Sequence, residues 1–239
     1  MSELLWETLR FEGEDAQSFL QGQVSQDLDQ DRSNGAWSLL LNADGTIVTS
    51  AWIRGSEKHW ELLVPSELVD AADARLRRFL LRVDCVITRK SEAIDAPLRS
   101  NDERIEEGKP WSKEFSLNLA PHVFGAAFVA ESVSFTKGCF TGQELVGRMD
   151  ARGASMPWRF VRVKGPSIDD ANELLRSVGP AGLQGITSAV TTTEGFSALG
   201  IAHRTFFANE ASARHPAAGR AQTDHAPQGR PAFVCAGGL

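Results

Sequence analysis

Ser134-Phe-Thr-Lys137-Gly138-Cys139-Phe-Thr141-Gly142-Gln143-Glu144-Leu-Val-Gly-Arg148 is the most constrained stretch of the chain. Thr141 and Glu144 stand at the spacing of a capping box, so a helix should start at Gly142. Cys139 then lies just ahead of a helix N-terminus, with Lys137 two residues upstream. The helix dipole and a nearby ammonium both favour a thiolate over a thiol. Gly138 and Gly142 permit close backbone approach and unusual dihedrals around that sulfur. Glu144 and Arg148, one helical turn apart, either pair with each other or face a ligand together. The plainer alternative for Cys139 is a small hydrophobe buried in a turn.

Upstream of this stretch the periodicity alternates between strand and helix. Leu4 to Phe11 reads as a strand, and Ala16, Phe19 and Leu20 stand at helical spacing. Residues 37–42 and 46–54 read as strands joined at Asp44-Gly45, a hairpin signal. Trp60 to Val64 is a further strand. Ser66 caps a helix running to about Leu81, with Leu68, Ala72, Leu76, Phe79 and Leu80 on one face. Val83 to Thr88 closes the series as a strand. This order predicts an α+β fold, a ferredoxin-like βαββαβ sandwich with an extra strand or hairpin arm. Residues 90–121 are polar and read as a connection. Trp158–Val163, about Gly182–Val190 and Phe196–His203 alternate like strands of a small second unit built only of β-structure. Of the 32 residues 208–239, 16 are Ala, Gly or Pro, so most of this tail is expected to be disordered, with a strand only at Phe233–Cys235. The expected organisation is therefore 1–154, 155–207 and a tail, 208–239.

The 239 residues, 42% hydrophobic and 23% charged, suit two compact soluble domains. No apolar run is long enough to span a bilayer, and the N-terminus lacks the basic and apolar regions of a secretory signal. Three cysteines, Cys85, Cys139 and Cys235, form no CxxC pair. A disulfide framework or cysteine-based metal site is not expected, and a reducing cytoplasm fits. His59, His122 and His203 are scattered without metal-ligand spacing, and Cys85 reads as an inert core thiol. The net charge of −6 argues against direct nucleic-acid binding. Residues 1–74 carry 14 acidic and 4 basic side chains, whereas residues 137–164 carry 6 basic and 2 acidic ones. The basic stretch is either a solvated face or a site for a small anion. Arg75, Arg77, Arg78 and Arg82 are expected on a solvated helix face.

LysGlyCysPheThrGlyGlnGlu (137–144), followed by Arg148 and Arg152-Gly153-Ala154, resembles the signature of the YgfZ family, folate-binding relatives of the glycine-cleavage T-protein. Three further segments resemble that family in order: Phe19-Leu-Gln21-Gly-Gln-Val-Ser-Gln-Asp27, Leu41-Asn42-Ala-Asp-Gly45 and Arg104-Ile-Glu-Glu-Gly-Lys-Pro110. The resemblance implies ferredoxin-like domains of the aminomethyltransferase folate-binding type, a C-terminal β-barrel, and tetrahydrofolate or a derivative as cofactor. It implies a role in iron–sulfur cluster assembly or maintenance, with indirect support of tRNA modification. The implied partners are folate and iron–sulfur cluster proteins or their assembly machinery, with no membrane and no direct nucleic acid. Carried onto this chain, the chemically active residues are Cys139 and Lys137. The cofactor-binding set is Trp6, Gln21, Asn42, Gly138, Gly142, Gln143, Glu144 and Arg148. Trp6 stands 15 residues before Gln21, where the family has a ligand-contacting tryptophan, and an indole can stack on a pterin. Its alternative role is a strand residue packed in the core.

Two departures bear on function. The segment before Lys137 is short, so the family's middle ferredoxin-like subdomain should be reduced. The T-protein has an acidic pair after its hairpin glycines, whereas here Thr49 and Ser50 occupy that place. Hydroxyls supply no fixed negative charge, so T-protein aminomethyl transfer is not expected. A folate-dependent one-carbon transferase, and a reduced fold that has lost folate, remain alternatives.

Overall fold

The computed structural model describes residues 3–91, 96–98, 100–152, 156–178, 185–204 and 232–235. Most of the expected tail, and Gly153-Ala154 of the basic motif, lie outside the described residues. The chain divides into two compact units. The first comprises Met1–Asn101, Pro110–His122 and Ala126–Ala154; the second comprises Asp102–Lys109, Val123–Gly125 and the described residues from 156 onward.

The first unit is built on strands β1 (Trp6–Glu12), β2 (Arg32–Leu41), β3 (Ile47–Ser56), β4 (His59–Pro65) and β5 (Val86–Lys90). They form one antiparallel sheet in the order β2-β3-β4-β1-β5. Helix α1 (Ala16–Gln21) follows β1, and α2 (Val69–Arg77) precedes β5. The connectivity is therefore β-α-β-β-β-α-β, one strand more than the six-element βαββαβ pattern. Leu9 and Phe11 of β1 point the same way because side chains alternate along a strand. They meet Phe19 and Leu20 of α1 and Val69, Ala72 and Leu76 of α2 in one core with Ile53, Leu62 and Val64.

Helix α2 is shorter than its periodicity suggests. A 3-10 turn, Ser66–Leu68, precedes it, and it stops at Arg77. Leu68, Ala72 and Leu76 are buried as expected, but Phe79 is 45% exposed. The cause is Arg75. It turns inward, donates from Nε to the Leu41 carbonyl (3.1 Å) and from Nη1 to Gln23 Oε1 (2.9 Å), and places its guanidinium 4.4 Å from the Phe79 ring. The expectation of a solvated arginine face thus fails for Arg75, while Arg77 does pair with Asp73 one turn back.

Residues 101–132 are not a featureless connection. They form α3 (Asn101–Glu107), α4 (Ser112–Phe115), a 3-10 turn at Pro121–Phe124 and α5 (Ala126–Ser132). Each is about two turns or less, too short for a periodic signal, and each is fixed by burying one or two large side chains such as Ile105, Phe115 and Phe128. Helix α6 (Gln143–Ala151) follows the quoted motif.

The second unit contains β6 (Trp158–Gly165), α7 (Ile168–Val178), β7 (Ile186–Thr192), β8 (Gly195–His203) and β9 (Ala232–Cys235). The sheet order is β7-β8-β6-β9, all antiparallel. Among the described residues this sheet is linear, with β7 and β9 at its edges, and the barrel expected from the resemblance is not closed there. Nor is the unit purely β. Ser167 Oγ accepts from the Asp170 amide and starts α7, whose Ala171 and Leu175 pack on Val161, Val163 and Ala198. Among the described residues no helix is long and apolar enough to cross a membrane.

Candidate functional site

Three of the four motif segments meet at one place in the first unit. Lys137 is only 8% exposed, and its ammonium donates to the carbonyls of Gln21 (2.7 Å), Val24 (2.8 Å) and Gln26 (2.8 Å). A lysine has three N–H donors, and here each has one carbonyl. The loop after α1 must turn sharply enough to aim three carbonyls at a point, and a single ammonium neutralises their crowded negative ends. Burial pushes the Lys137 pKa down to about 8, against the attraction of Asp27 and Asp29.

Ser25 and Gln26, which the sequence did not single out, continue the joint. Ser25 Oγ donates to the Ser132 carbonyl (2.6 Å) and accepts from the Leu39 amide (2.8 Å). Gln26 Nε2 donates to the carbonyls of Trp37 (3.2 Å) and Glu131 (3.2 Å). The Ser134 amide donates to the Ser25 carbonyl, and the Thr141 amide to the Gly22 carbonyl. The only sequence signal for these two hubs was their place inside the Gln21–Asp27 motif.

The hairpin Leu41–Gly45 is the third partner. Gly142 has φ +85, and a Cβ built there would lie 2.6 Å from the Asn42 carbonyl oxygen and 2.9 Å from Leu41 Cβ. It is the N-cap of α6, in the left-handed region. The expected capping box of Thr141 and Glu144 is therefore absent. A residue with φ near +85 cannot place Thr141 at the cap, and the Phe140 amide donates instead to Gln143 Oε1 (3.4 Å). Glu144 turns outward to Arg148, an exposed pair one turn apart.

The other proposed site residues occupy distinct positions. Cys139 and Gly138 are exposed, and nothing lies within 4 Å of a Cβ built on Gly138. All three Lys137 donors face carbonyls rather than the sulfur. Gln21 is fully engaged in its own loop: Nε2 donates to Asp27 (2.9 Å) and Asp29 (3.3 Å), and Oε1 accepts from the Leu28 amide. That first bond holds the Asp27 carboxyl below its ordinary value. Asn42 Nδ2 donates to Thr46 Oγ1 (3.0 Å) across the hairpin. Thr49 and Ser50 are buried on β3, and the Thr49 hydroxyl donates to the Ser50 carbonyl.

Trp6 lies in an aromatic cluster. Its Nε1 donates to the Leu98 carbonyl (2.9 Å); Trp111 meets it edge-on at 4.7 Å and Trp37 at 6.1 Å. Trp52 stands edge-on to Trp37 at 5.4 Å. Trp6, Trp37 and Trp52 are each half-buried. Thr8, on the same face of β1, is buried, and its hydroxyl has no hydrogen-bond partner among the described residues. A half-open wall of indoles beside an orphaned hydroxyl fits a flat heteroaromatic ring that carries a polar edge.

Arg104 of the fourth motif belongs to the second unit. It is buried and donates to the Lys109 carbonyl and to Ser188. In the same unit Glu106 pairs with Lys164, which holds its carboxyl below the ordinary value.

No protein-family profile matches the sequence. Among solved structures, the glycine cleavage system aminomethyltransferase T from Bartonella henselae is similar, with a TM-score of 0.54 and 13% identity. The match covers 85% of this chain and 78% of that one. At that identity the likeness concerns architecture, and the chain has the fold of a glycine-cleavage T-protein.

Proposed function

We propose that this protein binds tetrahydrofolate or a derivative and serves as an accessory factor for iron–sulfur cluster assembly or maintenance. The observation that carries the folate reading is the half-open indole wall of Trp6, Trp37 and Trp52 beside the orphaned Thr8 hydroxyl, set in a chain with the fold of a T-protein. Trp6 and its neighbours would hold the pterin. A bound tetrahydrofolate supplies a carrier for one-carbon units. Cys139 is the exposed thiol of the motif, and its exposure supports assigning it the contact with a client protein. Lys137 acts beneath it as the residue that fixes the loop. The alternative is a folate-dependent transferase. Thr49 and Ser50 argue against it, because neither can hold the fixed negative charge of the acidic pair.

Tetrahydrofolate is expected to quench tryptophan fluorescence. Trp6→Ala is expected to weaken binding about five- to hundredfold, the worth of one aromatic stacking partner. Trp6→Phe keeps an aromatic face and should recover most of the affinity. Unchanged affinity in folded Trp6→Ala protein would assign Trp6 to packing alone. The purified protein should also fail to transfer an aminomethyl group to tetrahydrofolate, and measurable turnover would favour the transferase instead. For the accessory role, Cys139→Ser should keep folate binding yet fail to restore cluster-enzyme activity in cells lacking the protein. Full rescue by that variant would remove the thiol from the function.

A further inference from the structure

Residues 75–90 carry six basic side chains, Arg75, Arg77, Arg78, Arg82, Arg89 and Lys90, and one acidic one, Asp84, in a protein of net charge −6. The structure sorts the arginines. Arg77 pairs with Asp73, and Arg89 with Glu7 and Asp70. Arg78 and Arg82 are exposed, and neither has an ion pair among the described residues. Between them, in the loop that leaves α2, lie Phe79, Leu80 and Leu81. Leu80 packs against the core of the first unit, as does Val83 on the far side of Arg82. Leu81 is 81% exposed, and Phe79 is the second exposed apolar side chain of the loop.

The loop is held in this state from below. Phe79 stands one turn after Arg75, and the buried Arg75 guanidinium fills the inward position beneath its ring. Arg82 has φ +59, a conformation that strains a residue with a side chain. Strain of that kind is retained where the surrounding structure imposes it, often at a functional position. Nor is the charge offset from below. Among the described residues Arg75 donates to neutral oxygens, those of Leu41 and Gln23, and its Nη2 has no partner. The acidic groups on this side, Asp84 and Asp15, stand beside Cys85 beyond the loop. Three guanidiniums therefore bracket two uncovered apolar side chains.

A concave site would suit a small molecule, but here the apolar side chains stand outward on a turn. An acidic protein surface would match the arginines, yet it would need a pocket for each apolar side chain. A bilayer surface meets both demands without one. Guanidiniums stay at the level of lipid phosphates while apolar side chains pass below them into the interface.

We infer that the Arg78–Arg82 loop docks on an anionic lipid surface, with Phe79 and Leu81 entering the interface and Arg78 and Arg82 on the phosphates. The inference does not depend on folate binding.

The test sediments the full-length protein with vesicles of phosphatidylcholine alone and of phosphatidylcholine mixed with phosphatidylglycerol. The mixed vesicles should carry the protein down at low salt, and release it as ionic strength passes about 0.15 M. Arg78→Gln and Arg82→Gln should each lower the partition coefficient about fivefold, the effect of one basic residue at an anionic surface. Leu81→Ser, which keeps every charge, should lower it about tenfold through lost apolar burial. All three side chains are exposed, so the urea midpoints should match wild type. Absence of binding to the mixed vesicles would overturn the inference. So would equal binding to pure phosphatidylcholine, or wild-type binding by Leu81→Ser, which would leave only diffuse attraction. Competition by soluble glycerophosphoglycerol at millimolar concentration would make the loop a site for a free phosphate ester instead. Self-association without vesicles that Leu81→Ser abolishes would assign the loop to a second copy of the chain, and would equally overturn it.

Discussion

Lys137→Met is expected to lower the unfolding free energy by about 3–5 kcal/mol, read from urea denaturation at neutral pH. Methionine fills the space of the lysine stem but donates nothing. The carbonyls of Gln21, Val24 and Gln26, which converge on Nζ at 2.7–2.8 Å, are then left facing one another without a proton between them. Each buried acceptor left unmade costs more than the bond itself contributed. Lys137→Arg should not rescue, because a planar guanidinium cannot place three donors at one point. The pH dependence reports the burial of the ammonium. The folded pKa is depressed, so the native state releases its proton near pH 8, whereas the unfolded chain holds it to about 10.4. Between those values the unfolded state binds more protons, and stability from this group rises with pH. Below pH 8 the burial penalty is felt in full. The gap between wild type and Lys137→Met should therefore widen from pH 8 towards pH 10. A variant as stable as wild type would refute the staple.

Gly142→Ala is expected to cost about 2–4 kcal/mol. The φ of +85 alone strains an alanine by about 1 kcal/mol, and the added methyl would sit 2.6 Å from a backbone carbonyl of the neighbouring hairpin. That carbonyl belongs to Asn42, whose amide and carbonyl already close the turn to Thr46 and Gly45, so it has little room to retreat. Gly138→Ala is the matched control within the same motif. Nothing lies within 4 Å of its added methyl, so stability should change by less than about 0.5 kcal/mol. Loss of function in stable Gly138→Ala protein would then mark a contact with a partner or ligand. Equal destabilisation by both changes would show that the close approach at Gly142 is not what holds α6 to the hairpin.

The strands of the first sheet were legible because half-buried strands announce themselves. Leu9 and Phe11 alternate with Arg10 and Glu12, and Asp44-Gly45 marks its hairpin. The helices of residues 101–132 were not legible, since elements of one or two turns carry too few residues to show a period. Helix α7 carried a readable signal, Ser167 ahead of an amphipathic run, which the alternation of the neighbouring strands overshadowed.

For the candidate site, it was the resemblance carried by the motifs that grouped Lys137, Gly142 and the Gln21–Asp27 and Leu41–Gly45 segments. Tertiary structure decided how. A lysine two residues from a cysteine reads as an activator of the thiol, because along the chain proximity is all that is visible. In the folded protein the three nearest acceptors come from more than 100 residues away, and they take all three of its protons. Arg75 shows the same limit: helical position alone marks it as solvated, yet the Leu41 carbonyl and Gln23, brought beside it by the sheet, draw it inside. Sequence fixes which groups seek partners and how many each can satisfy; which partner is found depends on contacts between distant segments, and these exist only once the chain has closed on itself.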